Sequence, residues 1–211
     1  MNKDLEQKYK DRSYVYDYYP SFFLVKEAYN LWEKKVIDLW ASNGRYIKHF
    51  WNDSCGVEYG NIDREEAIQN WYNVVFWNFN KDFDFFSGEE FDFIFSSHVI
   101  EHLESPYLFL KRIRNFGWDT AKLILWFPLE NTLVRLFDPY FSHDGHIYAF
   151  SLANIRKLFI ETEFEIEEIY YDIPFAGRWK IFRFLQKIVQ VLPYWMVSWW
   201  ANAVYIVAKK T

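Results

Sequence analysis

Glycine is scarce in this sequence, and aromatic residues are abundant. The 211 residues include 7 glycines against 22 Phe, 16 Tyr and 11 Trp, so that aromatic residues make up 23% of the chain. Glycine allows the backbone to approach a ligand closely and to adopt conformations that other residues avoid. Because bulky rings have replaced small residues in many places, we expect any pocket that normally needs glycine to be altered here.

Cysteine is almost absent, and the chain does not begin with an apolar leader. Cys55 is the single cysteine, so it cannot form an internal disulfide, which is typical of a protein from a reducing compartment. The first twelve residues, MNKDLEQKYKDR, are polar and lack the apolar run of a signal peptide. We therefore expect a cytoplasmic protein.

An excess of positive charge is also lacking. The formal net charge is -5 and the sequence pI is near 5.6. Proteins dedicated to nucleic acids owe much of their affinity to a basic surface, so the charge argues against this class, and we expect no nucleic-acid partner. With 51% hydrophobic and 25% charged residues, the composition is that of a globular protein, and the length favours one domain over residues 1–211.

Short apolar runs alternate with helical patterns along most of the chain. The predicted strands are 36–39, 55–57, 73–77, 91–95, 121–127, 164–170 and 202–208, and the predicted helices are 21–34, 47–51, 63–68, 107–115 and 152–160. This alternation indicates an α/β protein with a mainly parallel sheet and helices on both faces. Two regions stand apart from it: a helical lead-in over residues 1–34, and a basic amphipathic insertion over residues 177–200.

Residues 35–59 contain the most informative pattern in the sequence. An apolar strand is followed by a bend of small and turn-forming residues at 41–44, a predicted helix, and a second strand with Glu58 at its carboxyl end. In open α/β sheets that bind nucleotides, such a bend exposes backbone N–H groups at a helix N-terminus. The acid accepts hydrogen bonds from the ribose hydroxyls of the ligand. The alternative is an ordinary βαβ unit whose turn and acid hold no ligand.

Six segments of the chain follow one another in a characteristic order and spacing. They are residues 37–45 (Ile-Asp-Leu-Trp-Ala-Ser-Asn-Gly-Arg), Glu58, residues 78–81 after the third strand, residues 91–103 around the fourth strand, residues 126–131, and residues 146–151. Over residues 36–210, this order resembles the class I S-adenosylmethionine-dependent methyltransferases, particularly the small-molecule branch found near lipid and glycan biosynthesis.

The resemblance implies a Rossmann-like, open, mainly parallel seven-stranded sheet with an antiparallel last strand. S-adenosyl-L-methionine would lie over the carboxyl ends of the first strands. Its implied contacts are Asp38 and the backbone around Ser42 to Gly44 for methionine, Glu58 for the ribose hydroxyls, Asn78 with Phe79 for adenine, and Ser97 near the methyl group.

The candidate catalytic residues are two histidines. His98 follows the fourth strand, and His146 lies in the loop after the fifth strand, where it could take a proton from the acceptor. The alternative for His146 is a polar loop residue beside Gly145. The implied reaction is methyl transfer to an oxygen or nitrogen atom of a small-molecule, glycan or lipid-linked acceptor.

The first motif departs from the family pattern. Trp40 stands where the family has its first glycine, Ser42 stands where it has its second, and Gly44 alone is retained. The indole of Trp40 could fill the methionine pocket, or turn toward the sheet or a helix. One alternative function is therefore a pseudo-methyltransferase that keeps the fold and serves as a non-catalytic binding or partner module.

Two further patterns carry hypotheses of their own. His98, Glu101 and His102 match the inverted zinc-protease pattern, so a zinc-dependent hydrolase is a second alternative, whereas the methyltransferase resemblance accounts for the same residues without a metal. The basic amphipathic segment over residues 179–192 predicts either a helix that covers the sheet or a peripheral contact with a membrane.

Overall fold

The structure is a computed structural model that describes residues 20–78, 89–115, 119–129, 147–173, 180–197 and 201–211. In these ranges, seven strands form a single sheet in the order β3-β2-β1-β4-β5-β7-β6. The strands are β1 Val36–Asp38, β2 Cys55–Glu58, β3 Val74–Phe76, β4 Phe93–Ser97, β5 Lys122–Pro128, β6 Phe164–Asp172 and β7 Ala203–Lys210.

Strands β1 to β5 are parallel, and β7 is antiparallel to both of its neighbours, β5 and β6. Strand β6 therefore runs in the same direction as β5, and the carboxyl ends of β1 to β6 lie at one edge of the sheet. The predicted Rossmann-like seven-stranded sheet with an antiparallel last strand is confirmed.

The α-helices in the described ranges lie between or before these strands. They are α1 Pro20–Ala28, α2 Asn61–Gln69, α3 Pro106–Asn115, α4 Leu152–Glu161, α5 Lys180–Val189 and α6 Tyr194–Val197. Ser105 and Ser151 accept hydrogen bonds from the main chain at the starts of α3 and α4, as serine caps commonly do. Of the helices in these ranges, none has the length and apolarity that crossing a membrane requires.

The core consists of two apolar layers, one on each face of the sheet. Alternate residues of β5 enter different layers: Leu125 packs with the layer that includes Phe109 of α3 and Phe159 of α4, whereas Trp126 packs with the layer that includes Phe22 of α1. A strand that is buried on both faces needs a continuous apolar sequence. This explains why the central strands appear in the sequence as unbroken apolar runs.

The helix predicted after the first bend, over residues 47–51, is wrong. The structure forms only a short 3-10 helix there, Ile47–His49, and the chain becomes extended at Phe50. The rings of Tyr46 and Phe50 pack against Phe22 and Phe95 in the layer beneath α1, with ring centroids 4.8 to 6.3 Å apart. These contacts bind the segment to the sheet, so its apolar spacing reflects core packing and no α-helix N-terminus faces the bend.

The first helix is also shorter than predicted. It begins at Pro20 rather than after a Ser21 cap, and proline is well suited to a first helical position. It ends at Ala28 because Asn30 adopts the left-handed conformation, with φ 50°, before a short 3-10 helix over Leu31–Glu33. Residues 1–19 of the predicted lead-in lie outside the described residues.

Candidate functional site

Two buried carboxylates mark the carboxyl edge of the sheet. Asp38 ends β1 and is fully buried, and Glu58 ends β2 with 2% of its surface exposed. Asp38 is opposite Gly56 in the register of these parallel strands, which places Glu58 two residues further along the neighbouring strand. The structure thus brings together the two acids that the sequence singled out, around the bend at residues 40–44.

Glu58 binds the main chain of two loops. Its Oε2 accepts a hydrogen bond from the N–H of Ser42 at 2.8 Å, and its Oε1 accepts one from the N–H of Gly60 at 2.7 Å. Burial raises the pKa of Glu58 to about 7, although these two hydrogen bonds act to lower it. Because each carboxylate oxygen can accept more than one hydrogen bond, Glu58 retains capacity for ligand hydroxyls.

Asp38 uses one of its oxygens in the same bend. Oδ1 accepts the N–H of Trp40 at 3.1 Å, whereas Oδ2 is buried and has no hydrogen-bond partner within the described part of the chain. Burial raises the pKa of Asp38 to about 7, the Trp40 N–H opposes the rise, and the charge of Glu58 adds to it. A buried oxygen without a donor is costly, so the geometry fits a ligand that supplies one.

The bend itself has a left-handed backbone at two positions. Ser42 has φ 48° and Gly44 has φ 85°. At Gly44, a Cβ atom would overlap the ring of Tyr72, so this position requires glycine for its conformation and for the space beside it. Ser42 adopts the same region at a cost of about 1 kcal/mol and is held there by its hydrogen bond to Glu58.

Gly56 supports the bend through close packing, a role that the sequence prediction did not identify. A Cβ atom at this residue of β2 would lie 2.5 Å from Cβ of Ala41 and 2.8 Å from Cδ1 of Ile47. The bend therefore packs directly on the backbone of β2. A glycine inside an apolar strand was the available signal, because it often marks the close approach of another backbone.

Trp40, the most unusual residue of the bend, packs against the core. Its half-buried indole contacts the layer that contains Ile37 and Leu39, and its ring centroid lies 5.7 Å from that of His102. Asp38, by the alternation of β1, projects toward the opposite layer. The indole and the Asp38 carboxylate thus face opposite sides of the sheet.

The end of β4 carries a histidine that is oriented by a buried acid. Nδ1 of His98 lies 3.2 Å from Oε1 of Glu101, which is fully buried, and the ring of His98 packs on that of Trp126 at 3.8 Å between centroids. His98 adopts φ 59°, and the preceding residue, Ser97, is buried at the end of β4. A carboxylate that holds one imidazole nitrogen is a common way to orient a general base.

The helical zinc pattern is not formed. His98 precedes a three-residue 3-10 helix, Ile100–His102, so His98 and His102 do not lie one turn apart on an α-helix. His102 instead packs beside Trp40. The described ranges contain no group of three or more His, Cys, Asp or Glu side chains that could hold a metal ion. Glu101 is the orienting partner of His98, a role that the sequence did not indicate.

A fourth buried acid, Asp172, lies at the same edge of the sheet. Its Oδ2 accepts the Nε1–H of Trp126 at 2.9 Å, and its Oδ1 accepts the N–H of Ser21 at 3.1 Å. Burial raises the pKa of Asp172 to about 6, and the hydrogen bonds from Ser21 and Trp126 oppose the rise. Asp172 therefore fixes the start of α1 and the ring on which His98 packs. The sequence prediction missed it by ending this strand at Tyr170.

The remaining predicted site residues are placed only in part. Asn78 is half-buried and directly follows Trp77, whose N–H bonds the carbonyl oxygen of Glu58 at 3.2 Å. Asn78 therefore lies beside the Glu58 end of β2. Phe79 and His146 lie outside the described residues.

Residues 12–169 match a family model described as a methyltransferase domain. A comparison with curated proteins finds none that matches this sequence.

Solved structures with this fold include several S-adenosylmethionine-dependent methyltransferases. One from Thermotoga maritima, described as a possible histamine N-methyltransferase, has a TM-score of 0.72 at 15% identity and covers 99% of this chain and 97% of its own. One from Archaeoglobus fulgidus has a TM-score of 0.65 at 14% identity, with 96% and 99% covered. A TehB-like enzyme from Corynebacterium glutamicum has a TM-score of 0.63 at 15% identity, with 99% and 97% covered.

Proposed function

This chain belongs to the methyltransferase-domain family, and from that premise we propose that it binds S-adenosylmethionine around the bend at residues 40–44 and methylates an oxygen or nitrogen atom of a small-molecule, glycan or lipid-linked acceptor. The observation that carries this proposal is the pair of buried carboxylates, Asp38 and Glu58, at the ends of adjacent parallel strands. Open α/β sheets bind their ligands at this edge.

The residues present fit the cofactor. Oδ2 of Asp38 is a buried acceptor that suits the ammonium group of the methionine part, and Glu58 has acceptor capacity for the ribose hydroxyls. Asn78, with Phe79, would contact adenine. A cationic ligand favours the ionised form of nearby acids, so its binding would lower the raised pKa values of Asp38 and Glu58.

His98 is the proposed general base of the reaction. When bound, S-adenosylmethionine would supply a methyl group on a sulfonium, with neutral S-adenosylhomocysteine as the leaving group. His98 takes the proton of the acceptor, and the carboxylate of Glu101 stabilises the resulting imidazolium. Ser97, buried just before His98, would lie near the methyl group.

Transfer of a labelled methyl group tests the proposal. The protein is incubated with S-adenosylmethionine labelled in its methyl group and with three acceptor sets: small amines and phenols, oligosaccharides, and lipid-linked sugars. We expect label in one set, with loss of transfer in Asp38→Asn. If the protein binds S-adenosylhomocysteine but labels no acceptor set, the pseudo-methyltransferase alternative is favoured instead.

A further inference from the structure

Helix α5 contacts the sheet through its glutamines. Gln186 is buried, accepts the N–H of Ile173 at 3.2 Å and donates to the carbonyl oxygen of Tyr171. Gln190, one turn later, accepts the N–H of Tyr171 at 2.8 Å and donates to the same carbonyl at 2.8 Å. Because β6 is the last strand of the sheet, these amides complete the hydrogen bonding of an otherwise open edge.

Several apolar side chains of this segment face solvent, whereas Val189 and Leu192 pack against the core. Val191 is 82% exposed, Trp195 69% and Phe184 66%. We define the α5–α6 surface as Phe184, Leu185, Ile188, Val191, Tyr194 and Trp195, all of which are exposed. A helix that merely covers a sheet buries its apolar face and exposes its polar one. Here the inward side is mixed, because the polar Gln186 and Gln190 are turned toward the sheet and large apolar side chains remain exposed.

The same part of the chain is basic within an acidic protein. The whole sequence has a net charge of -5, yet residues 173–211 contain no Asp or Glu. Their six basic residues are Arg178, Lys180, Arg183, Lys187, Lys209 and Lys210. Lys187 is exposed and lies one residue before Ile188 of the α5–α6 surface. Lys209 and Lys210 lie on β7, where they pair with Glu165 and Asp119, so among the described side chains the positive charge beside the α5–α6 surface is that of Lys187.

The surface lies at the same carboxyl edge of the sheet as the candidate site, on the far side of the sheet from β2. Helix α5 follows the carboxyl end of β6, and Asp172 at that end accepts a hydrogen bond from the indole on which His98 packs. Strands β4, β5 and β7 separate β6 from β1, where Asp38 ends its strand.

We propose that the α5–α6 surface docks on an anionic lipid bilayer, with its aromatic and aliphatic side chains in the interfacial region and Lys187 at the headgroups. Exposed Trp and Tyr next to Lys and Arg are typical of interfacial helices, and basic residues add attraction to anionic lipids. A second copy of this chain is a poorer occupant, because symmetric pairing would bring two acid-free, basic segments together. This inference does not depend on methyl transfer.

Flotation with lipid vesicles tests this inference on the full chain. Vesicles of phosphatidylcholine with 30% phosphatidylglycerol are compared with vesicles of phosphatidylcholine alone. We expect wild-type protein to float with the anionic vesicles, to bind the neutral ones at least tenfold more weakly, and to lose binding as salt is raised. The double variant Val191→Asp/Trp195→Asp should lose at least tenfold in affinity.

A matched control and a second variant keep the test decisive. Trp71→Asp changes a tryptophan that is 96% exposed after α2, far along the chain from α5, and should leave flotation unchanged. If the double variant does not fold, as judged by circular dichroism, Lys187→Glu replaces it and should weaken binding at least fivefold. The inference is overturned if wild-type protein ignores anionic vesicles, if the α5–α6 variants float like wild type, or if light scattering shows a dimer that Val191→Asp/Trp195→Asp dissociates.

Discussion

The carboxylate of Glu58 accepts the main-chain N–H of Ser42 at 2.8 Å, so the acid that ends β2 holds the bend that follows β1. Ser42 has a left-handed φ of 48°, a conformation that glycine adopts freely and serine does not. In a chain with few glycines, a hydrogen bond to a buried acid thus stabilises a bend that glycine would otherwise permit. Glu58 therefore accepts hydrogen bonds from the backbone and, in the proposed complex, from the ligand as well.

Replacement of Glu58 by alanine should therefore affect two separate measurements. Loss of the hydrogen bonds to Ser42 and Gly60 should lower the free energy of unfolding by about 1 to 3 kcal/mol in urea denaturation without ligand. Affinity for S-adenosylhomocysteine, measured by calorimetry, should fall at least tenfold. Glu65→Ala, which removes an exposed acid from α2, is the control and should change neither quantity.

A change in the ligand can distinguish the hydrogen bonds of Glu58 to the bend from its proposed hydrogen bonds to ribose. A dideoxy analogue of S-adenosylhomocysteine lacks both ribose hydroxyls and should bind the wild-type protein at least tenfold more weakly than the parent ligand. In Glu58→Ala, the two ligands should bind with affinities within about twofold of each other, because the acceptor is already absent. An equal loss in both proteins would show that Glu58 acts on the bend alone.

The raised pKa values predict opposite pH dependences for stability and binding. Burial raises the pKa of Asp38 and of Glu58 to about 7, above the ordinary values near 4. Between these values, the folded protein holds protons that the unfolded chain has released, so these groups make stability fall as pH rises from 5 to 8, by on the order of 1 to 3 kcal/mol. Ligand affinity should rise over the same range, because ribose hydroxyls donate to the ionised Glu58.

Other groups also titrate in this window, so the comparison with Glu58→Gln is needed. Asp172, with a pKa raised to about 6 by burial, acts in the same direction, whereas His49, with a pKa lowered to about 4 by burial, acts in the opposite one. Urea denaturation at several pH values should give a shallower decline of stability in Glu58→Gln than in wild type. Identical pH profiles in the two proteins would contradict the assignment to Glu58.

Replacement of Trp40 by alanine should destabilise the protein and should not improve cofactor binding. The half-buried indole packs on the core and on His102, so its removal should cost about 1 to 3 kcal/mol, less than for a fully buried tryptophan. The measurements are urea denaturation and calorimetry with S-adenosylhomocysteine. A stable variant that binds the ligand tenfold more tightly would show that the indole obstructs the site.

Substitutions of His98 and Glu101 should lower the rate of methyl transfer without weakening cofactor binding. His98→Ala should retain affinity for S-adenosylhomocysteine within about twofold while kcat falls by roughly 10² to 10⁴. Glu101→Gln keeps the side-chain volume but weakens the hold on Nδ1, so it should lower kcat and change the pH profile of kcat. If kcat and its pH profile are unchanged in both variants, another residue is the base.

The sheet and the two acids could be predicted from the sequence for a physical reason. The central strands are buried on both faces, so each appears as an apolar run, and each run ends where the site begins, as at Asp38 and Glu58. The family resemblance then predicted that the last strand, β7, is antiparallel. In these strands, the apolar pattern of the sequence matches the burial of the strand in the folded protein.

The remaining features depend on contacts that no local pattern specifies. The spacing of Ile47 and Phe50 predicted a helix, but their side chains pack into the core from a 3-10 turn. Asp172 continues β6 two residues past the predicted end because β7 pairs with it. The amphipathic pattern of α5 did not reveal which face is buried, because Gln186 and its neighbour on the next turn bond the open edge of β6.

Calorimetric titration of the wild-type protein with S-adenosylhomocysteine tests the proposed site most directly. At pH 8, where Asp38 and Glu58 are mostly ionised, a saturable isotherm with one site per chain is predicted, and binding should weaken at pH 6. A flat titration at millimolar ligand, with protein that circular dichroism shows to be folded, would contradict a cofactor site at the ends of β1 and β2.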